Sequence, residues 1–450
     1  MTEEDAAIAD DLTEVVRNAL AADDPAAVRT LVAEQHPADI AELFRFLDDG
    51  DRRGLLAALG DGLDPEVLSY VDEELRPDLT AFLGAERTAA LLAELETDDA
   101  IAFLEELDDA LQLGVLAALP SAERKDVQQS LAYDEYTAGR LMQRAFVALP
   151  DYWAVGQAID FLRTQPELPD DFYDIYLVNP RFEPVGSIPL SMILRSVRST
   201  PLRELKIREL RLIEAAADQE DVARTFRKYG LVSAPVIGTS RRIIGVITVD
   251  DIVDVIDEEA EEDLMKLSGV SEIDVLRPFA QTVRKRQPWL IANMGTAILA
   301  AAVIAQFEAS IEAIVALAVL MPIVASMGGN SGSQTLTVVV RGLATGEVTS
   351  ANAWRVFRKE LAVGLANGAT FFVVGGLVAL AGFGFPALAL VFGLALLVTL
   401  FFAAAVGVLI PLTLQRLNVD PAVASAVFVT TITDVFGFAT FLGAATLVLL

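Results

Sequence analysis

Residues 361–415 read LAVGLANGATFFVVGGLVALAGFGFPALALVFGLALLVTLFFAAAVGVLIPLTLQ, 55 positions without a charged side chain. About 20 apolar residues suffice for a helix to cross a bilayer, so this run is too long for one span. GFGFP at 382–386 supplies the break. Working outward, 287–307 and 313–340 are also uncharged, and after Pro421 only Asp434 carries charge. The pattern predicts five transmembrane helices, roughly 288–307, 313–340, 361–381, 386–414 and 422–450. Arg284, Lys285 and Arg286 precede the first, Arg341, Arg355, Arg358 and Lys359 separate the second from the third, and Arg416 lies between the last two. Connections 308–312 and 382–385 hold no Lys or Arg. Under the positive-inside rule the basic connections share the cytoplasmic side with the N-terminus, and the C-terminus ends outside.

The charges are segregated. The chain of 450 residues is 53% hydrophobic with net charge −30 and mean hydropathy +0.45, too apolar for an ordinary soluble protein. Residues 1–286 hold 29 basic and 58 acidic side chains, so nearly all the negative charge lies in that part. Such a surface disfavours nucleic acid, whose phosphates need Lys and Arg. It suits metal cations, or equally a saline cytoplasm, since only six of 34 basic residues are Lys. The absence of Cys excludes disulfides and thiolate sites. The one histidine, His36, precedes Pro37 and reads as a helix start. MTEEDAAIADD lacks the basic-then-apolar pattern of a signal peptide. No phosphate-binding Gly loop with Lys, activated nucleophile or hydrolytic motif indicates an enzyme.

Four parts follow along the chain. Residues 1–136 form an all-α superhelical N domain: IAELFRFLDDGDRRGLLAALG (40–60) and TAALLAELETDDAIAFLEELDDALQLGVLAALP (88–120) place apolar residues at helical spacing between Asp-Asp, Asp-Gly and Pro breaks. Residues 137–262 switch to α/β with two similar modules. One is VGQAIDFLRT, DIYLVNPRFEPVGSI and LSMILRS; the other is QEDVARTFRKYG, SAPVIGTSRRIIGVITV and DDIVDVIDE. This order resembles a tandem pair of cystathionine-β-synthase (CBS) modules. In that family a Thr and an Asp three residues on hold a nucleotide ribose, which Thr248 and Asp251 match; the first module has Pro189 and Met192 there. The resemblance therefore implies a nucleotide, such as regulatory ATP, at one module at most, with a ligand-free dimer clamp as the alternative. Residues 263–286 form a connecting helix, and 287–450 the membrane domain.

Asp434, in VTTITDVFGF, is the candidate that carries most chemistry. A carboxylate in mid-span costs about 2.5–3.5 kcal/mol on insertion scales, and such groups face a bundle interior or water. Thr430 and Gly437 extend a polar, close-approach stripe along that helix. No Lys or Arg lies inside any span to pair with Asp434, so a metal ion is its natural partner. MPIVASMGGNSGSQTLTVVVRG (321–342) is second: Pro322 removes a helix hydrogen bond and Gly328-Gly329 lets backbones approach or unwind. Asn330, Gln334, Thr337 and Arg341 then fall on one helical face. Outer coordination of a hydrated cation and small-residue helix packing explain that stretch equally. Glu308 and Glu312 flank the outer mouth, where an anionic vestibule would concentrate cations; ordinary loop carboxylates explain them nearly as well. In the cytoplasmic half, Asp250, Asp254, Asp257, Glu258, Glu261 and Glu262 crowd one side of a helix, each like pair costing about 0.2–0.5 kcal/mol. Divalent ions bridging these, with Asp251, to Asp218, Glu220 or Asp221, or to acids of the N domain, would relieve that repulsion. A solvated acidic face is the bland alternative.

RKRQPWLIANMGTAILAA (284–301), FEASIEAIVALAVLMPIVASMGGNSGSQTLTVVVRGLATGEV (307–348), VGLANG (363–368) and DPAVASAVFVTTITDVFGFATFLG (420–443) resemble the membrane domain of the MgtE family of magnesium channels. HPADIAELF (36–44) and YDEYTAGRLM (133–142) resemble that family's N domain and its junction with the CBS pair. The departures are Ser331, where Ala is common, and the divergent first CBS module. The resemblance implies a plasma-membrane homodimer of five-span subunits and a Mg²⁺ pore on the two-fold axis with one Asp434 from each subunit. It also implies cytoplasmic domains that close the pore when internal Mg²⁺ is plentiful. Mg²⁺ sheds its waters reluctantly and is commonly held through few carboxylates plus water, which suits two such groups flanked by amide and backbone oxygens. A transporter of Mn²⁺ or Co²⁺ and a non-transporting membrane sensor are the competing readings. A chloride or osmolyte carrier fits poorly, since the one mid-span charge is negative.

Overall fold

The computed structural model describes residues 3–165, 168–169, 171–206, 210–268, 279–417, 419–423 and 426–450. Its contacts divide the chain into two compact units, Met1–Asp257 and Glu258–Leu450. The boundary falls inside one helix, Val249–Ser268. Of the predicted connecting helix 263–286, residues 269–278 lie outside the described residues.

The first part of unit one is a run of short helices, among them Pro25–Val32, Pro37–Phe46, Asp49–Leu59, Ala85–Leu92, Thr97–Glu105, Asp109–Ala118 and Ser121–Ser130. The acidic breaks in the sequence are their caps. Asp48 Oδ1 accepts from the Gly50 and Asp51 amides, and Asp108 Oδ1 from those of Ala110 and Leu111, which satisfies otherwise orphaned donors. His36 does the same through Nδ1, accepting from the Ala38 amide at 3.2 Å. Alternate helices pack on each other: 25–32 on 49–59, 85–92 on 109–118, 97–105 on 121–130. One apolar seam through Val28, Phe44, Leu55, Leu92, Phe103 and Leu104 results, as stacked hairpins require.

Two three-stranded sheets follow with identical topology. Strands β1 (Ala148–Pro150), β2 (Asp174–Val178) and β3 (Pro184–Pro189) pair parallel then antiparallel. Strands β4 (Ile213–Glu214), β5 (Ser233–Ile237) and β6 (Ile243–Thr248) repeat this, with a register shift at the equivalent place, Leu177/Val178 and Val236/Ile237. The sheets are cross-linked where the Ser233 hydroxyl donates to Asp174 Oδ2 (2.8 Å) and lies 2.6 Å from the Tyr176 hydroxyl.

Unit two contains five helices of 24 to 31 residues: Phe279–Ala305, Ala316–Ala344, Ala353–Phe383, Pro386–Arg416 and Ala426–Leu449. The predicted break at GFGFP is a left-handed Gly384 (φ 63°) ending one helix and Pro386 opening the next, each residue where its backbone freedom suits it. Among the described residues four of the five are long and apolar enough to cross a bilayer. The exception is Ala316–Ala344, predicted as the second span. Its length suffices, but GGNSGSQT at 328–335 dilutes its apolar character. Pro322 does not break it and the glycines do not unwind it; the helix is continuous.

Candidate ion pathway and cation sensor

Asp434 sits half-buried on the helix Ala426–Leu449, and its Oδ1 is buried with no hydrogen-bond partner among the described residues. A carboxylate oxygen left so is costly, and a cation with its water is the kind of partner that would satisfy it. The surrounding helices approach closely because of glycine. A Cβ on Gly328 would lie 2.8 Å from Thr399 Cγ2, one on Gly329 3.2 Å from Thr430 Cγ2, and one on Gly332 2.6 Å from Val429 Cγ1. Gly328, Gly329 and Thr430 are thus brought together. Asn330, Gln334, Thr337 and Arg341 share an exposed face of the same helix instead. Glu308 and Glu312 are exposed on the short helix Glu308–Ala313, which Ser310 ties to the far end of the Asp434 helix through Thr446 (2.7 Å).

Two residues were missed in the sequence. Thr399, fully buried with a hydroxyl that has no hydrogen-bond partner among the described residues, wedges between Gly328 and Gly437. Thr433, also fully buried, donates to the Thr430 carbonyl at 2.9 Å. Thr399 gives no periodic cue because its helix is apolar on all sides.

In unit one the acids divide into two groups. Asp218 caps the helix Gln219–Tyr229 by accepting from the Glu220 amide, while Glu220 and Asp221 both hold Arg224, at 3.0 and 2.7 Å. The structure thus engages this trio locally rather than with the acidic helix. The i, i+3 and i, i+4 spacing was the available signal. The other group lies where the first turn of Thr97–Glu105 meets the start of Val249–Ser268. Asp98 is 8% exposed, and neither carboxylate oxygen has a hydrogen-bond partner among the described residues. Burial, then Asp251, Asp99 and Glu96, hold its carboxyl well above the usual range. Desolvation and the charges of Asp251, Asp99, Asp250 and Asp171 push Glu96 up to about 7. Burial raises Asp251 to about 6 against the opposing bond from Thr248, with Asp250 and Asp99 adding to the rise. Asp254 is raised by burial, then by Asp257 and Asp250. Asp250, Asp254, Asp257, Glu258, Glu261 and Glu262 are exposed. Among the described residues no three such side chains converge on one ion position, so the cluster is an anionic field, not a closed cage. The orphaned Asp98 oxygens fit a cation entering that field.

Thr248 donates to Asp251 Oδ2 from both its amide (3.3 Å) and its hydroxyl (2.7 Å). Thr248 is at one edge of a cleft that Gln143, Asp174, Tyr176 and Ser233 also line. Gln143 Nε2 in turn donates to Glu96.

Comparison with known proteins bears on all three regions. Residues 321–444 match the family model described as a divalent cation transporter, 35–136 the MgtE intracellular N domain, and 202–258 a CBS domain. The magnesium transporter MgtE of Thermus thermophilus is 34% identical over 331 residues, covering 72% of this chain and 73% of that protein. The chain belongs to the MgtE family of magnesium transporters. The Bacillus subtilis member is 30% identical, covering 74% of each chain. Among solved structures, the soluble part of a magnesium transporter matches at TM-score 0.51 and 28% identity, covering 56% of this chain and 99% of that one. The cytosolic domain of the Mg²⁺ channel MgtE in complex with ATP matches at the same TM-score and identity, covering 54% and 99%. The MgtE relatives are named as transporters, not enzymes. The CBS match covers the second module only, where Thr248 and Asp251 lie.

Proposed function

We propose that this MgtE-family chain is a Mg²⁺-selective channel of the plasma membrane, closed by Mg²⁺ bound to its cytoplasmic acids. The reading takes four parts: the helical domain 1–136, the CBS pair 137–262, the connecting helix 263–286 and the pore domain 287–450. Five helices cross the membrane with the N-terminus inside, the polar helix Ala316–Ala344 included. Two subunits meet on a two-fold axis, which covers the exposed Asn330–Gln334 face and lets each contribute Asp434. The observation that carries the reading is the Asp434 oxygen, buried without a partner among the described residues in an otherwise uncharged stretch. Two such carboxylates hold a hydrated ion weakly enough to release it. Asn330, Gly328, Gly329, Gln334 and Thr430 line or shape the path, and Glu308 draws cations to its mouth.

Gating follows from the anionic field. With Mg²⁺ scarce, Glu96, Asp98 and Asp99 repel Asp250, Asp251 and Asp254; with Mg²⁺ bound, repulsion falls and a compact state is favoured. Asp257, Glu258, Glu261 and Glu262 continue the field along the helix that crosses into unit two, and Asp218, Glu220 and Asp221 join it when Arg224 lets go. The CBS cleft is a regulatory ligand site, with Thr248 and Asp251 as the ribose-facing pair; ATP is its first candidate by kinship.

Asp434→Ala in proteoliposomes tests the pore. Mg²⁺ uptake is expected to vanish with normal membrane insertion; unchanged uptake would remove the assignment. Replacing Mg²⁺ by Mn²⁺, Co²⁺ or Ca²⁺ in the same assay tests selectivity, and equal fluxes would reduce the reading to a general divalent channel.

A further inference from the structure

The helix Ala353–Phe383 opens with AWRVFRKE, and no charged residue follows until Arg416. Helical periodicity sorts this opening onto two sides. Val356 and Phe357 pack on Leu343, Val348 and Val408, and Glu360 is buried on the same side. Trp354, Arg355, Arg358 and Lys359 are exposed on the other. The entry to the helix is fixed by Asn352, whose Oδ1 accepts from the Thr349 amide (2.8 Å) and whose Nδ2 donates to the Glu347 carbonyl (2.7 Å). Trp354 stacks on Phe357 with 5.4 Å between ring centroids, which holds the indole at the edge of the basic group. Lys359 lies 3.6 Å from Glu360, while Arg355 and Arg358 have no ion-pair partner among the described residues. From 341 to 360 the chain holds four basic and two acidic residues, so the surface there is cationic.

Both sides continue down the helix. On the inner one a Cβ on Gly364 would lie 2.6 Å from Ala404 Cβ, and one on Gly368 2.9 Å from the Leu397 carbonyl oxygen, so the neighbouring helix Pro386–Arg416 is seated there. On the outer one Ala362, Leu365, Ala369, Val373 and Leu380 follow Arg358 at helical spacing, and all are exposed. A forked cationic head, an aromatic edge and an apolar track therefore lie in line on one unpartnered side. We infer that this side of the helix is a binding site for an anionic phospholipid. The phosphate sits between Arg355 and Arg358, whose planar donors match it, Trp354 lies at headgroup level, and an acyl chain runs along Leu365 and Val373. A zwitterionic lipid offers the same phosphate but adds an ammonium that the three cations repel. Basic residues also orient a membrane chain, but orientation does not require that three of them share one helical side with a tryptophan above an exposed apolar track.

Native mass spectrometry of the full-length protein, extracted from vesicles of equal parts phosphatidylglycerol and phosphatidylcholine, tests this. Each Arg or Lys at an anionic lipid surface is worth about fivefold, so retained phosphatidylglycerol should exceed phosphatidylcholine by about tenfold or more. Arg355→Gln with Arg358→Gln and Lys359→Gln should bring the two lipids to within about twofold. Arg355→Lys with Arg358→Lys, which keeps the charge, should retain a preference, and it reads the site even where the neutral variant fails to insert. Arg284, Arg341 and Arg416 lie on other helices at the same end of the unit, and changing all three to Gln removes the same charge but should leave the ratio as it was. Equal retention of the two lipids by the unaltered protein overturns the inference. An equal fall in both triple variants also overturns it, because the attraction would then belong to the whole basic end and not to this helix.

Discussion

At Gly328, Gly332 and Thr399 the membrane unit is decided by fractions of an ångström. A Cβ at 332 would sit 2.6 Å from Val429, so Gly332→Leu forces helices apart and should cost at least about 1–3 kcal/mol, the range for overpacked cores. A lower denaturation midpoint in detergent is the measurement. Thr399→Val has the opposite sign. It keeps the shape and deletes a buried hydroxyl with no partner among the described residues, so stability should hold or rise by about 1 kcal/mol. A clear loss would mean that the hydroxyl is satisfied in the working protein. Asp434 was legible because a charge in an uncharged run needs a reason. Thr399 was not, because it lies among Leu, Val and Phe on a helix whose every face is apolar. His36 announced its cap through the Pro that follows it.

Among elements, the helix Val249–Ser268 is the one that both units share. In unit two its Lys266 donates to Asp420 Oδ2 at 2.7 Å and also holds Glu262. Those two carboxylates keep its pKa high against the cost of burial. Asp420 in turn caps the turn before the Asp434 helix by accepting from the Ala422 amide, and Leu267 packs with Leu336, Val340 and Val429. An ion pair of this exposure is worth about 0.2–1 kcal/mol, so Lys266→Ala should raise the Mg²⁺ concentration that half-closes the channel by at most about fivefold. Asp420→Asn, which keeps the acceptor for the Ala422 amide and removes only the charge, should shift it in the same direction; patch recordings read both. No local pattern predicts a contact across 154 residues. The five long helices were legible from charge alone, yet Ala316–Ala344 shows that a run without charge and a run that lipid would accept are different things. The local pairing of Glu220 and Asp221 with Arg224 could have been read from spacing, and Arg224→Ala tests their place in the sensor. Freed of their partner they should make Mg²⁺ close the channel at lower concentration; an unchanged threshold would exclude them.

Across the whole molecule, the proposed sensor would link protons to Mg²⁺. Glu96 and Asp251 have raised pKa values, about 7 and about 6, so the folded protein binds protons more tightly than the unfolded chain. Without Mg²⁺, the cytoplasmic unit should therefore gain stability as pH falls through these values and lose it as pH rises through them. Mg²⁺ binds the ionised form, so its stabilising effect should be larger at about pH 8 than at about pH 5.5. Thermal unfolding of the full chain at both pH values is the check, and an equal Mg²⁺ effect would show that these acids are not where it binds. The sequence displayed the charge excess and the acidic helix but not that Asp98 faces Asp251, which only tertiary packing brings about. The five-helix unit has a last consequence, for how it is made. A nascent helix that carries GGNSGSQT is a poor candidate for release into lipid by itself, and its glycine seam finds its match only in helices synthesised later. Ala316–Ala344 should therefore linger at the insertion machinery until Pro386–Arg416 and Ala426–Leu449 emerge, which makes biogenesis of this subunit a late, collective step that truncation before Pro386 would stall.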